Sequence, residues 1–267
     1  MTLRSIQAMD LGAISKASKF GKRPELRWVA PTSLWVDKTY QRDLSKKSIT
    51  LIKGMVKHFS WDRMKPPIVN VIDGKIHVVD GQHTAIAAAT LGIEEIPVFV
   101  VESASEKTRA LAFVGHNTDR IVIAPVYIHK ARLAACEESA VDVDAVCRRA
   151  GARIKLFNQS GGYSIGDTMA VTLITSLVKR RGVMRARQVL ECLVKAKRAP
   201  ISGAEITATE HILCKTHPKL DFLKLSMVVR IGGDKALHDA RAAAHTRRTQ
   251  AWRVLVDVWS KKLPVAT

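Results

Sequence analysis

The sequence has no cysteine framework. Its four cysteines, Cys136, Cys147, Cys192 and Cys214, stand far apart with no C-x-x-C pair. That excludes a Cys-based zinc ribbon and points to a reduced, cytoplasmic protein. Long hydrophobic runs are missing too. The longest, residues 121–128 and 169–178, fall well short of the roughly 18–20 residues that span a bilayer, so no membrane partner is expected. Residues 1–25 carry Arg4, Lys16, Lys19, Lys22 and Arg23 but no continuous apolar stretch, and they are not expected to be a secretory signal. No internal repeat is visible. Acidic residues are scarce: 24 Asp and Glu stand against 43 Lys and Arg, a formal net charge of +19. Such an excess implies a polyanionic partner, nucleic acid first and an anionic surface second. With 47 % apolar residues the chain is not a disordered basic tail. Its 267 residues allow one large domain or two ordinary ones.

The charge is unevenly spread. Residues 1–125 hold 18 basic and 12 acidic side chains, whereas residues 126–267 hold 25 and 12. Within residues 179–198 eight basic residues (Lys179, Arg180, Arg181, Arg185, Arg187, Lys195, Lys197 and Arg198) meet Glu191 alone. A solvated helix face ordinarily mixes signs, so this stretch is a candidate DNA contact. Arg241 and Arg248 belong to a second stripe, His238, Arg241, His245, Arg248 and Trp252. Its steps of three or four put all five on one face of a single helix spanning 234–262. Trp252 there is either a base-stacking ring or a core residue.

Pattern changes divide the chain into a basic arm (1–25), a mixed unit (26–124) and a helical, basic unit (125–267). Ser45 is placed to cap a helix whose apolar stripe is Leu51, Ile52, Met55, Val56 and Phe59. Asp73-Gly74 lies between two β-rich runs and predicts a hairpin, because both turn positions need positive φ. An Ala-rich helix follows from Gln82, and Gly92 stops it. Ser103-x-x-Glu106 predicts a capping box at the start of the next helix. From Pro125 onward helical periodicity dominates, with helices expected at 166–182, 183–198, 205–216 and 219–231. The fold class is α+β, with a mainly α-helical C-terminal part.

The segment Val78-Val79-Asp80-Gly81-Gln82-His83-Thr84 leaves a strand and enters a helix through glycine. The first N–H groups of a helix have no intrahelical acceptor, and a glycine lets a ligand approach the backbone, so this junction suits an anion. Asp80 is either the helix N-cap or a ligand for a divalent cation bridging to phosphate. His83, in the first turn, either contacts ligand, handling a proton in an enzyme, or makes a structural hydrogen bond. His211-x-x-Cys214-x-x-His217 has metal-like spacing, but three ligands on one short segment without a fourth make poor zinc geometry.

Residues 34–101 resemble the N-terminal domain of the ParB/sulfiredoxin-like superfamily, in particular its phage- and plasmid-associated branch with a D-G-Q-H-R/T signature. The resemblance rests on Val36-Asp37, Tyr40-Gln41-Arg42, Pro67-Ile68-Val69, Val79 through Ala85, Ala88, Gly92 and Ile96-Pro97-Val98. Asn117-Thr118-Asp119-Arg120 is similar to the N-x-x-R that follows this domain in ParB proteins. Where ParB proteins read G-E-R-R around the triphosphate of CTP, this chain reads Gly81-Gln82-His83-Thr84. Where sulfiredoxins place their cysteine nucleophile it has Gln82, which excludes sulfiredoxin chemistry.

The resemblance implies a nucleotide or phosphate pocket formed by Gln41, Arg42, Gly81, Gln82, His83, Thr84, Asn117 and Arg120. Its expected cofactor is Mg²⁺, held by Asp80, with CTP or ATP. It further implies a DNA-binding protein of a mobile genetic element, with a homodimer as an expected assembly. The alternative is a metal-dependent nuclease or NTP-hydrolysing enzyme on the same fold, with Asp80 and His83 catalytic.

Overall fold

The computed structural model describes residues 5–37, 43–102, 106–118, 122–155 and 162–263. The chain divides into two units, Met1–Ile121 and Val122–Thr267.

In the first unit residues 5–24 carry no regular structure and are exposed. Five strands follow: β1 (Glu25–Val29), β2 (Leu34–Trp35), β3 (Ile68–Ile72), β4 (Lys75–Asp80) and β5 (Ile96–Val100). Asp73 and Gly74, with φ of 50° and 73°, close the β3–β4 hairpin as their residue types predict. The sheet order is β1-β5-β3-β4-β2, with β1–β5 and β3–β4 antiparallel and β3–β5 and β2–β4 parallel. Val69, Val78, Ile96 and Val98 point to one face and are buried with Ala85 and Ala88 of α2 (Gln82–Thr90). Small alanines let this helix lie close on the sheet. Leu91 caps its end and Gly92 follows with φ of 69°.

Helix α1 (Lys46–Lys57) starts where Ser45 accepts a hydrogen bond from the Ser48 N–H at 3.1 Å. Its expected stripe is only partly inward. Ile52 is buried, whereas Leu51 is exposed, because it borders the cleft described below rather than the core. Helix α3 spans Glu106–Thr118; Ser103 of the expected capping box lies outside the described residues.

The second unit contains α4 (Pro125–Ala134), α5 (Glu138–Ala150), a parallel pair β6 (Arg153–Ile154) and β7 (Asp167–Thr168), then α6 (Val171–Lys195), α7 (Gly203–His211), α8 (Phe222–Thr246) and α9 (Ala251–Ser260). A π-helical turn, Ile212–Thr216, extends α7. Helix α6 is broken at Gly182, whose φ of 73° and ψ of 166° are not helical; this is where the sequence reading separated two helices. Helix α8 breaks likewise at Gly233. Ile174, Leu177, Leu190, Leu193, Ile206, Leu255 and Trp259 are fully buried in one core. Ser202 and Glu205 form a reciprocal capping box at the start of α7.

The single helix expected over 234–262 is corrected. It ends at Thr246, and α9 restarts after a turn in which Arg248 takes a φ of 50°. His238, Arg241 and His245 therefore share a helix, and Arg248 and Trp252 do not belong to it. Trp252 is half-buried, with its ring 5.3 Å from that of His211, so it is a packing residue.

Candidate functional site

A cleft of about 900 Å³ opens at the N-terminus of α2. Strand β4 delivers Asp80 to its wall, and Gly81, Gln82, His83 and Thr84 continue that wall into the helix. The N-cap of α2 is Gly81 (φ 97°), not Asp80, which corrects one of the two readings of that aspartate. A glycine cap brings no side-chain oxygen, so the N–H groups of the first turn keep their affinity for an incoming anion.

Gly81 is required twice over. Its φ of 97° suits glycine, and a Cβ there would lie 2.8 Å from the Cα of Pro67. This close packing draws the segment before Pro67 up to the helix terminus. Arg63 and Lys65 of that segment line the cleft, as do Lys47 and His58 from α1. Sequence reasoning missed these four. No spacing links them to Asp80; the only trace is the Pro66-Pro67 pair, which fixes the approach to β3. Leu51, Met55, Phe59 and Phe113 supply an apolar part of the lining.

Among the described residues Asp80 is the single carboxylate lining the cleft, and neither Asp37 nor Asp43 joins it. No group of three or more His, Cys, Asp or Glu among the described residues is arranged to hold a metal. One carboxylate beside several cations fits Mg²⁺ that takes most of its ligands from phosphates and water. Gln41, Arg42 and Arg120 lie outside the described residues. Asn117 falls in the last turn of α3, and its side chain is also outside them.

In the second unit the basic run of residues 179–198 proves heterogeneous. Lys179, Lys195 and Lys197 are exposed. Arg180 and Arg181 both donate to the buried carboxylate of Glu210 on α7, each at 2.9 Å. Burial works to raise the Glu210 pKa, but the two guanidinium hydrogen bonds outweigh it and hold the carboxyl below its ordinary value. Arg185 donates to Gln188 and to the Pro218 carbonyl, and Arg187 pairs with Glu191 at 3.3 Å.

Arg198 is a correction. It is 5 % exposed and bound by Glu205 and Asp234, so it joins elements of the core and is not available to DNA. Arg241 and Arg248 are exposed. His211, Cys214 and His217 form no metal cluster, and burial pushes the Cys214 thiol up.

The class defined by these features is an α+β sheet domain with a cation-rimmed helix terminus, followed by a basic helical unit. Solved structures of ParB proteins are among those to which the chain is similar. One is the C-terminally truncated chromosome-partitioning protein ParB of Caulobacter crescentus complexed with CTP-γ-S. It is 11 % identical with a TM-score of 0.35, over 77 % of this chain and 98 % of that one. The same protein complexed to the centromeric parS site matches at 12 % identity and a TM-score of 0.29, over 76 % and 98 % of the two chains. A Pnob8-like ParB-N domain matches at 12 % and 0.29, over 81 % and 84 %. No protein family profile and no curated protein matches the chain.

Proposed function

We propose that the chain is a ParB-like DNA-binding protein of a mobile genetic element. Its cleft at the N-terminus of α2 takes the phosphates of a nucleoside triphosphate and regulates the DNA contact. The observation that carries this reading is the composition of the cleft: the glycine-capped helix terminus shares its lining with Lys47, Arg63, Lys65 and Asp80. A triphosphate needs such an excess of positive charge, and a single carboxylate suits the accompanying Mg²⁺. The D-G-Q-H-T signature supports the mobile-element assignment, and the exposed cations of the second unit support the DNA contact.

Ligand-screened thermal unfolding with CTP, ATP and GTP, each with and without Mg²⁺, tests the pocket. Saturation near a hundred times Kd stabilises the folded state by about 2.7 kcal/mol, and Arg63→Ala should remove most of that shift. No stabilisation by any of the three, at any Mg²⁺ concentration, defeats the proposal.

A second reading is hydrolytic, and the shared position of Asp80 and His83 on the cleft wall favours it. Plasmid or NTP turnover that Asp80→Asn and His83→Ala both abolish, with binding retained, would decide for it.

A further inference from the structure

We infer that the open face of the first unit's sheet, at β1, is a stacking surface for the unpaired bases of single-stranded nucleic acid. Strand β1 is an edge strand, and its alternation places Leu26 and Trp28 opposite Phe99 and Pro97 of β5, away from the buried face. Trp28 is 56 % exposed and Trp61 55 %. The two rings meet edge-on at 6.0 Å and 63°, and Phe59 meets Trp61 at 5.5 Å and 78°. A T-shaped contact uses one face of one ring at most, so flat aromatic surface remains open to a further ring. Two half-exposed tryptophans in contact, extended by exposed Leu26 and Phe99, make an apolar patch that solvent does not favour.

Charge selects the occupant. Residues 5–24 run straight into β1, are exposed, and carry Lys16, Lys19, Lys22 and Arg23 against Asp10 alone. Lys22 pairs with Glu102 at 2.6 Å, which leaves three cations on the approach to the patch without that engagement. Further along the chain, Trp61 is followed by Asp62, Arg63 and Lys65. Aromatic rings whose segments carry an excess of cations match a strand that alternates bases with phosphates. A duplex hides its base faces and cannot use them. Trp28 and Trp61 lie outside the cleft lining, whereas Phe59, Arg63 and Lys65 are shared with it; the tryptophan variants therefore test this surface apart from the nucleotide reading.

The test is fluorescence anisotropy with labelled oligo(dT), beside a duplex of the same length, on the full chain and on Trp28→Ala, Trp61→Ala and Trp61→Phe. Each alanine variant should bind oligo(dT) about tenfold more weakly, within the range that stacking on one ring supplies, while Trp61→Phe keeps most of the affinity. Duplex affinity should be unchanged, and unaltered circular dichroism would show that the variants fold. The inference is overturned if wild type does not bind oligo(dT) at low salt, or if the alanine variants lose nothing. Equal losses on oligo(dT) and duplex would overturn it as well. A wild-type dimer in sedimentation that Trp28→Ala dissociates, with oligo(dT) affinity intact, would instead assign the patch to a second copy of the chain.

Discussion

Gly81 shows how one residue can serve backbone and packing together. Its positive φ turns the chain from β4 into α2, its missing side chain admits Pro67, and as an N-cap it offers the helix no side-chain oxygen. Gly81→Ala should cost roughly 1–3 kcal/mol, since strain and overpacking act together. Urea unfolding would measure it, and a loss below about 0.5 kcal/mol would contradict the packing argument. Glu210 makes a different residue-scale prediction. Its carboxyl pKa is held below the ordinary value of 4.5 in the folded chain. The stability this supplies is present in full above that value and is lost as pH falls through the lower, folded one. Wild type should therefore lose more stability between about pH 6 and pH 3.5 than Glu210→Gln, which starts lower at neutral pH. Parallel losses in the two proteins would show that Glu210 does not couple folding to pH.

At the scale of elements, the two halves of α6 differ in what their cations do. Around the Gly182 break, Arg180 and Arg181 reach across to α7 and neutralise Glu210. Reversing both to Glu would place three carboxylates together, so weakened DNA binding by that variant would report unfolding as much as lost contact. Lys179, Lys195 and Lys197 are the better probes, because they are exposed. Their combined replacement by Gln should leave stability within about 0.5 kcal/mol of wild type. It should flatten the salt dependence of DNA binding by about 0.9 in log–log slope for each lysine that meets a phosphate. An unchanged slope would remove this helix from the interface. The α7 capping box carries a comparable structural load. Glu205 accepts from the Ser202 N–H at 2.9 Å and from the Ser202 hydroxyl at 2.7 Å, and it also binds buried Arg198. Glu205→Ala should cost about 3–5 kcal/mol, read as a lowered urea midpoint, because it removes the α7 capping box and leaves buried Arg198 with the exposed Asp234 carboxylate as its remaining ion-pair partner.

For the whole molecule, the net charge of +19 governs association more than folding. If about six phosphates are neutralised, the affinity for DNA should fall with salt at a log–log slope near −5, with little dependence on sequence. Electrophoretic mobility shift at several salt concentrations measures this slope. A slope near zero would mean that the cations are spread for solubility and do not form a footprint. Among the described residues no helix is long and apolar enough to cross a membrane, in keeping with the short hydrophobic runs.

What the sequence alone determined is local. Ser45 as a cap, Asp73-Gly74 as a hairpin turn and Gly92 as a helix stop each depend on one or two residues whose φ or side-chain oxygen is intrinsic to their type. The strand–glycine–helix junction at Asp80–Thr84 was legible for the same reason. Other features depended on partners distant in the chain. The turn at Arg248 is a non-glycine residue at positive φ, which periodicity could not reveal because the charged stripe continues in register across it. Cations from α1 and from the segment before Pro67 meet at the cleft, and Pro67 packs there against the missing Cβ of Gly81. Nor could composition say which arginines of a basic run are exposed. Glu205, Glu210 and Asp234 bind Arg180, Arg181 and Arg198 across separations of seven to 36 residues. A charge's availability is set by what folds against it, and that is a property of the tertiary structure.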